Sequence, residues 1–334
     1  MSLRTQYCKL DLANPFLASA SPLSRSLDNI RKMEDAGLAG VVLYSLFQEQ
    51  INYGVDELDH FIETNGGAYE DLRDKEVWPN AQGEGPDEYL EHLRAAREAV
   101  DIPIIASLNG RALSSWVLLA RSIQEAGADA LELNVYSVPA DMSLTGEQIE
   151  RNLIEIVRAV RSNTSLPLAV KMSPFFSSPA NMASRLVEEG IEGLVLFNRF
   201  YQPDIDLETL SVEPNILLST SHSCRLAMRW IAIMSGRLNV SLSASGGVLS
   251  GREAAKMILA GADTVQLCST LLRHGIPHAR ILLKELRDWM EELGYEEINH
   301  MRAQLSQIHL PEPELFERAQ YMKGLKTFDP FATS

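Results

Sequence analysis

The chain has 334 residues, enough for one large domain or two smaller ones, and its 46% apolar and 22% charged residues are ordinary for a globular protein with a sizeable core. A formal charge of −15, from 30 basic and 45 acidic residues, argues against nucleic-acid binding and against anionic membrane surfaces. Three cysteines (Cys8, Cys224, Cys268) without metal-like spacing suggest neither a disulfide framework nor a metal site, no apolar run approaches the roughly 18 residues that span a bilayer, and the N-terminus lacks the apolar stretch of a signal peptide, so a cytoplasmic setting is expected.

In chain order, apolar runs of strand length alternate with helical patterns. The runs are PFLAS (15–19), VVLYS (41–45), PIIAS (103–107), ALELN (130–134), LAVK (168–171), LVLFN (194–198), VSLSAS (240–245) and TVQLCS (264–269). Apolar residues at i, i+3 and i+4 predict helices over 87–100, over 147–161 and after Ser250. Thr145 with Gln148, and Ser250 with Glu253, have the spacing of a capping box, and Gly261 is placed to end the third helix. Repeated strand–helix–strand units predict a parallel sheet. Eight of them favour closure into an α/β (β/α)8 TIM barrel over about 15–293, with an open doubly wound sheet as the alternative. Residues 46–85 form an insertion after strand 2, and 199–221 an insertion after strand 6 with the look of a small hairpin. Residues 294–334 are a C-terminal extension, and 1–334 is read as a single barrel domain.

Nearly every run ends on a polar residue, and in a barrel of this kind the active site lies at the carboxyl ends of the strands. Those ends carry Ser45, Asn109 just past its run, Asn134, Lys171, Asn198, the pair Gly246-Gly247, and Cys268-Ser269. The segment SASGGVLSGREAAKMILAGADTVQLCST (243–270) has glycines after strand 7, a capped helix, and a polar end to strand 8. Glycines there let backbone N–H groups approach an anion, so this is a candidate phosphate site; the alternative is a tight strand-to-helix turn. Lys171 follows only apolar residues in its strand, and a lysine in a barrel mouth needs an anion or an electron-rich ring. Asn134 and Asn198 flank it and can donate and accept toward one bound ring. Ser137, three residues after Asn134, is a candidate base with no histidine near it in sequence. The seven histidines form no triad or metal pattern, and Cys224 and Cys268 read as packing or backbone-contact residues.

Taken together, NPFLASAS, LELNVYS, LAVKMSPFF, the strand ending in Asn198, SASGGV and AGADTVQLCST resemble the dihydroorotate dehydrogenase family of FMN-binding barrels over most of residues 5–293. The last two motifs are also similar to the FMN domain of dihydropyrimidine dehydrogenases. The resemblance implies an FMN-dependent oxidoreductase acting on CH–CH bonds in pyrimidine metabolism. It places Ala20, Ser21, Ser45 and Asn109 around the flavin, Asn134 and Asn198 on flavin and substrate, and Lys171 at the pyrimidine end of the ring. Gly246, Gly247, Cys268 and Ser269 would hold the phosphate. Ser137 falls at the position of the catalytic base, which is serine in one branch and cysteine in others. Substrate C–H would pass hydride to flavin N5, and an unidentified acceptor would reoxidise the flavin. A homodimer is the family expectation.

Departures from the family concentrate on the substrate side. Tyr44 stands where the family has a lysine that contacts both flavin and substrate. The Asn-rich substrate loop is matched only by Asn80-Ala81-Gln82-Gly83, Ser137 is followed by Val138-Pro139, and LSTSHSCR (218–225) replaces a glycine-rich segment. The expectation is a divergent member with FMN-holding positions kept and dihydroorotate in doubt as substrate. A flavin-binding subunit without turnover and a true dihydroorotate dehydrogenase with a rebuilt loop are the alternatives.

Overall fold

The computed structural model describes residues 1–47, 85–109, 113–135, 138–199, 202–213 and 217–317. Eight parallel strands close into a barrel: β3 (Phe16–Ala18), β4 (Val41–Phe47), β5 (Ile104–Asn109), β6 (Ala130–Asn134), β7 (Leu168–Met172), β8 (Gly193–Leu196), β11 (Ser241–Ser245) and β12 (Thr264–Leu267), with β12 pairing back onto β3. These are the eight predicted runs within a few residues at each end. Helices alternate with the strands as α1 (Leu27–Asp35), α2 (Pro86–Ala99), α3 (Leu113–Glu125), α4 (Gly146–Arg161), α5 (Pro179–Glu188), α6 (Cys224–Met234) and α7 (Gly251–Ala260), followed by α8 (Ser269–His274), α9 (His278–Glu292) and α10 (Ile298–Met301). The fold is the α/β TIM barrel expected.

Helix boundaries fall where the caps place them. Thr145 Oγ1 accepts from the Gln148 N–H while Gln148 Oε1 accepts from the Thr145 N–H, starting α4. Ser250 does the same for the Glu253 N–H at the start of α7, and Gly261 ends that helix at φ 121°. The insertion after strand 6 contains the expected hairpin, β9 (Asp204–Asp206) against β10 (Ser211–Glu213). The insertion after strand 2 falls mostly outside the described residues.

Two apolar layers hold the barrel. The outer one lies between strands and helices, with Phe16, Leu43, Leu108 and Leu133 packed on Met33, Leu93 and Trp116. The inner one fills the amino-terminal end of the lumen with Leu17, Val42, Ile105, Ala130, Ala169 and Val195. Below it sits a feature the sequence did not announce, a hairpin of β1 (Thr5–Tyr7) and β2 (Leu10–Leu12). Its two-residue turn, Cys8-Lys9, has φ of 48° and 62°, the left-handed pair that fits a right-twisted hairpin. The turn pushes Tyr7 and Cys8 into the lumen, where both are buried. Gly193 makes room for them, since a Cβ there would stand 2.3 Å from Cys8 Sγ. Burial pushes the Cys8 thiol far up, so it remains protonated.

The first part of the C-terminal extension straps across the same end. Ile298 N–H donates to the Ser2 carbonyl at 3.0 Å, and Ala303 and Leu305 N–H groups donate to the α7 carbonyls of Ile258 and Leu259. Arg302 pairs with Asp263, whose other oxygen accepts from the Leu242 N–H at 2.8 Å. No helix among the described residues is long and apolar enough to cross a membrane.

Candidate active site

The lumen turns polar one layer above the apolar floor. Strand alternation sends every second side chain inward, and β6 presents Glu132 and Asn134 on that face, β7 Lys171, and β12 Gln266. Lys171 Nζ donates to Ser19 Oγ at 3.0 Å, to Gln266 Oε1 at 3.2 Å and to Glu132 Oε1 at 3.4 Å. Gln266 Nε2 donates to the other Glu132 oxygen at 2.6 Å, and Ser19 Oγ donates to Gln266 Oε1 at 3.1 Å. Glu132 is fully buried and Lys171 is 6% exposed. A buried pair of charges persists only when the remaining lone pairs and protons are satisfied. Here all three ammonium protons and both carboxylate oxygens have partners. The anion that a strand-end lysine requires is therefore inside the protein, on the neighbouring strand.

Above this layer a ladder of small polar groups crosses the mouth. Ser107 Oγ and Ser45 Oγ are 2.8 Å apart, Asn134 Nδ2 donates to Ser45 Oγ at 3.3 Å, and Asn198 Nδ2 donates to Asn134 Oδ1 at 2.6 Å. Ser45 reaches the lumen because β4 is irregular: its register with β5 shifts between Val42 and Ser45. Without that shift Tyr44 would face inward. With it, Tyr44 points to the outer layer, edge-on to Tyr89 at 5.2 Å, tilted against His92 at 5.7 Å, and under the Arg25 guanidinium at 4.6 Å. The Tyr89 hydroxyl bridges the strand's irregularity. It accepts from the Ser107 N–H at 3.0 Å and donates to the Ser107 carbonyl at 3.2 Å.

The third part is the glycine turn after β11. Gly246 and Gly247 both hold positive φ, 92° and 77°. A Cβ on Gly247 would come within 2.4 Å of the Thr220 carbonyl and 2.7 Å of the Cys224 N, so only glycine lets these backbones approach. A Cβ on Gly246 would meet only Ser219 Oγ, at 3.8 Å. Thr270 Oγ1 donates to the Val248 carbonyl and ties α8 to this turn. The cavity beside the turn is lined by Ala20, Lys171, Asn198, Arg199, Ser219, Gly246, Gly247, Cys268 and Ser269, among others. Among the described residues no carboxylate lines it, although acidic residues outnumber basic ones 45 to 30 in the chain. Burial raises the Cys268 thiol, while Lys171 and Arg199 pull it the other way; Cys224 is likewise raised by burial. Both thiols are thus held in the inert form, in line with packing roles.

Most candidate residues converge. Ala20, Lys171, Asn198, Gly246, Gly247, Cys268 and Ser269 share the cavity, and Asn134 and Ser45 join it through the ladder. Asn109 is buried at the end of β5, in register with Phe47. Ser21 does not line the cavity; it precedes a short turn of helix, Pro22–Arg25, and its carbonyl accepts from Ser24. Ser137 and Asn80-Ala81-Gln82-Gly83 lie outside the described residues. Sequence reasoning missed Glu132, Gln266, Ser19 and Arg199. The first was detectable as a lone charge two residues before Asn134 in an apolar run, hence on the same face.

A closed parallel barrel whose polar groups gather at the carboxyl ends of its strands is the architecture of a barrel enzyme. The family model described as "Dihydroorotate dehydrogenase" matches residues 2–290. The NAD-dependent dihydropyrimidine dehydrogenase subunit PreA of Escherichia coli (strain K12) is 25% identical over 333 residues, covering 94% of this chain and 79% of that protein. The catalytic subunit of dihydroorotate dehydrogenase B (NAD(+)) from Methanothermobacter thermautotrophicus is 23% identical over 309 residues, covering 90% and 97%. The chloroplastic dihydropyrimidine dehydrogenase (NADP(+)) of Arabidopsis thaliana is 26% identical over 337 residues, covering 92% and 78%. The chain belongs to the dihydroorotate dehydrogenase family, whose members are flavin-dependent oxidoreductases acting on CH–CH bonds and bind FMN as a rule.

Proposed function

We propose that this chain is an FMN-dependent oxidoreductase that dehydrogenates a CH–CH bond and handles dihydroorotate poorly. The observation that carries the cofactor reading is the cation-bearing cavity at the paired positive-φ glycines, with no carboxylate among its described lining residues, which suits a dianionic phosphate. FMN, when bound, supplies the redox chemistry. Gly246, Gly247, Cys268 and Ser269 would hold its phosphate, Ala20 and Lys171 would lie toward the ring, and Asn134 and Asn198 would offer amides to ring and substrate. Lys171 would act as a fixed positive charge rather than a spare donor, because its protons already have acceptors. The role proposed for Ser137 is that of proton acceptor from the substrate carbon; a serine needs a sheltered site to do so. The electron acceptor is a further component, consistent with relatives named as subunits.

The substrate reading rests on Tyr44. The lysine that the family places there is gone, and the tyrosine, whose ring packs in the outer layer, brings no positive charge in the lysine's stead. A substrate carboxylate desolvated without its partner loses about 1–3 kcal/mol per unmatched group. Two measurements test the proposal. The purified protein should show a flavin absorbance spectrum and release FMN on denaturation; a colourless protein that cannot be reconstituted with FMN refutes it. Anaerobic mixing with dihydroorotate should bleach the bound flavin slowly or not at all; rapid bleaching would make this a dihydroorotate dehydrogenase with a rebuilt substrate site.

A further inference from the structure

Beside the glycine turn, two guanidinium groups converge on one serine. Arg199 directly follows Asn198, and its Nη1 donates to Ser219 Oγ at 2.7 Å. Arg273, on α8, points Nη2 at the Ser219 carbonyl oxygen at 3.4 Å. The Ser219 N–H in turn donates to Ser269 Oγ at 3.0 Å. Each of the two hydroxyls therefore accepts one N–H and keeps its own proton to donate. The open side of Gly246 faces the same Ser219 hydroxyl.

Neither arginine has a carboxylate partner among the described residues, in a chain where acids are in excess. An arginine carries five N–H donors, and these two spend theirs on a neutral hydroxyl and a carbonyl. The positive charge of Arg199 reaches Cys268 at the next corner of the cavity. Lys171, Arg199, the Ser219 and Ser269 hydroxyls and the positive-φ glycines thus face one volume with no acid among its described lining residues, and Arg273 reaches it through Ser219.

The geometry points to Arg199, seconded by Arg273, as a cationic clasp on a phosphate monoester at the Gly246-Gly247 turn. This rests on the FMN reading and deepens it: the cofactor's phosphate is held by charge as well as by backbone N–H groups. Guanidinium is suited to the task because its planar fork matches phosphate oxygens. The clasp makes cofactor affinity dependent on salt and selective for FMN over riboflavin.

The test compares binding of FMN and riboflavin to the apoprotein, by flavin fluorescence quenching, in wild type, Arg199→Gln, Arg199→Lys and Arg273→Gln. Arg199→Gln should weaken FMN about tenfold or more, the scale of one charge-assisted hydrogen bond, and leave riboflavin unchanged. Arg199→Lys should recover part of the loss, Arg273→Gln should lose less, and the salt dependence of FMN binding should flatten in Arg199→Gln. Equal losses for FMN and riboflavin, or none, overturn the clasp while leaving the flavin reading intact. A normal FMN-to-riboflavin ratio with weakened orotate binding to the flavin-loaded variant also overturns it, assigning Arg199 to the substrate. If wild type binds neither flavin, the flavin reading falls. Calorimetric titration with inorganic phosphate then decides the clasp: loss of phosphate binding in Arg199→Gln supports it, and no binding in wild type overturns it.

Discussion

At the scale of single residues, Lys171 is the clearest case of a side chain whose surroundings change what its removal means. Lys171→Ala leaves Glu132 as a buried carboxylate with no cation, a situation that costs about 3–5 kcal/mol. The variant should therefore unfold at markedly lower urea, before any effect on flavin is considered. The double variant Lys171→Met with Glu132→Gln should recover most of that stability, because no uncompensated charge remains. If the double variant is as unstable as the single one, the ion pair is not the source of the loss. A similar confusion attends the glycine turn. Gly247→Asp would drive its side chain into the backbone at Thr220 and Cys224, so loss of flavin there reports a clash. Gly246 has room, and Asn tolerates its left-handed backbone. Gly246→Asn should keep FMN, whereas the similarly shaped Gly246→Asp should lose it and retain riboflavin better. Equal FMN affinity in the two variants would mean that no anion sits at this turn.

At the scale of elements, strands and helices were largely legible because each carries its own punctuation. Polar strand ends, the Thr145 and Ser250 caps and Gly261 mark boundaries by local hydrogen bonding, which sequence spacing records. What spacing cannot record is an irregularity in a ladder. Strict alternation from Val42, which faces the lumen, would turn Tyr44 inward as well; the register shift after Val42 sends it outward and brings in Ser45, the strand-end residue expected at the site. The compensation comes from α2, remote in sequence, where Tyr89 serves both polar groups of the Ser107 backbone. Tyr89→Phe should strand two buried backbone groups at about 1–3 kcal/mol each. Urea unfolding should show that loss; a neutral substitution would mean water replaces the hydroxyl and that β4 keeps its shape without help. The β1–β2 hairpin escaped notice for a related reason. Its strands have three residues each, and its turn uses Cys8 and Lys9 where glycine or asparagine would have signalled the left-handed pair.

At the scale of the whole molecule, the barrel is filled from its amino-terminal end. Tyr7 and Cys8 occupy the lumen, Gly193 yields the space, and the strap from Ile298 to Leu305 covers the outside. Gly193→Val should be strongly destabilising, since its Cβ alone would overlap Cys8 Sγ, and Cys8→Ala in the same chain should restore part of the loss in thermal melts. A melt unaffected by Gly193→Val would mean the hairpin is not seated in the lumen. This stoppered end has a kinetic corollary. Among the described residues the barrel axis is closed at its amino-terminal end, which leaves the strand termini as the way into the cavity. A small organic substrate and a small organic acceptor would have to use that doorway in turn, each departing before the other enters. Initial-rate plots at several acceptor concentrations should then run parallel rather than intersect.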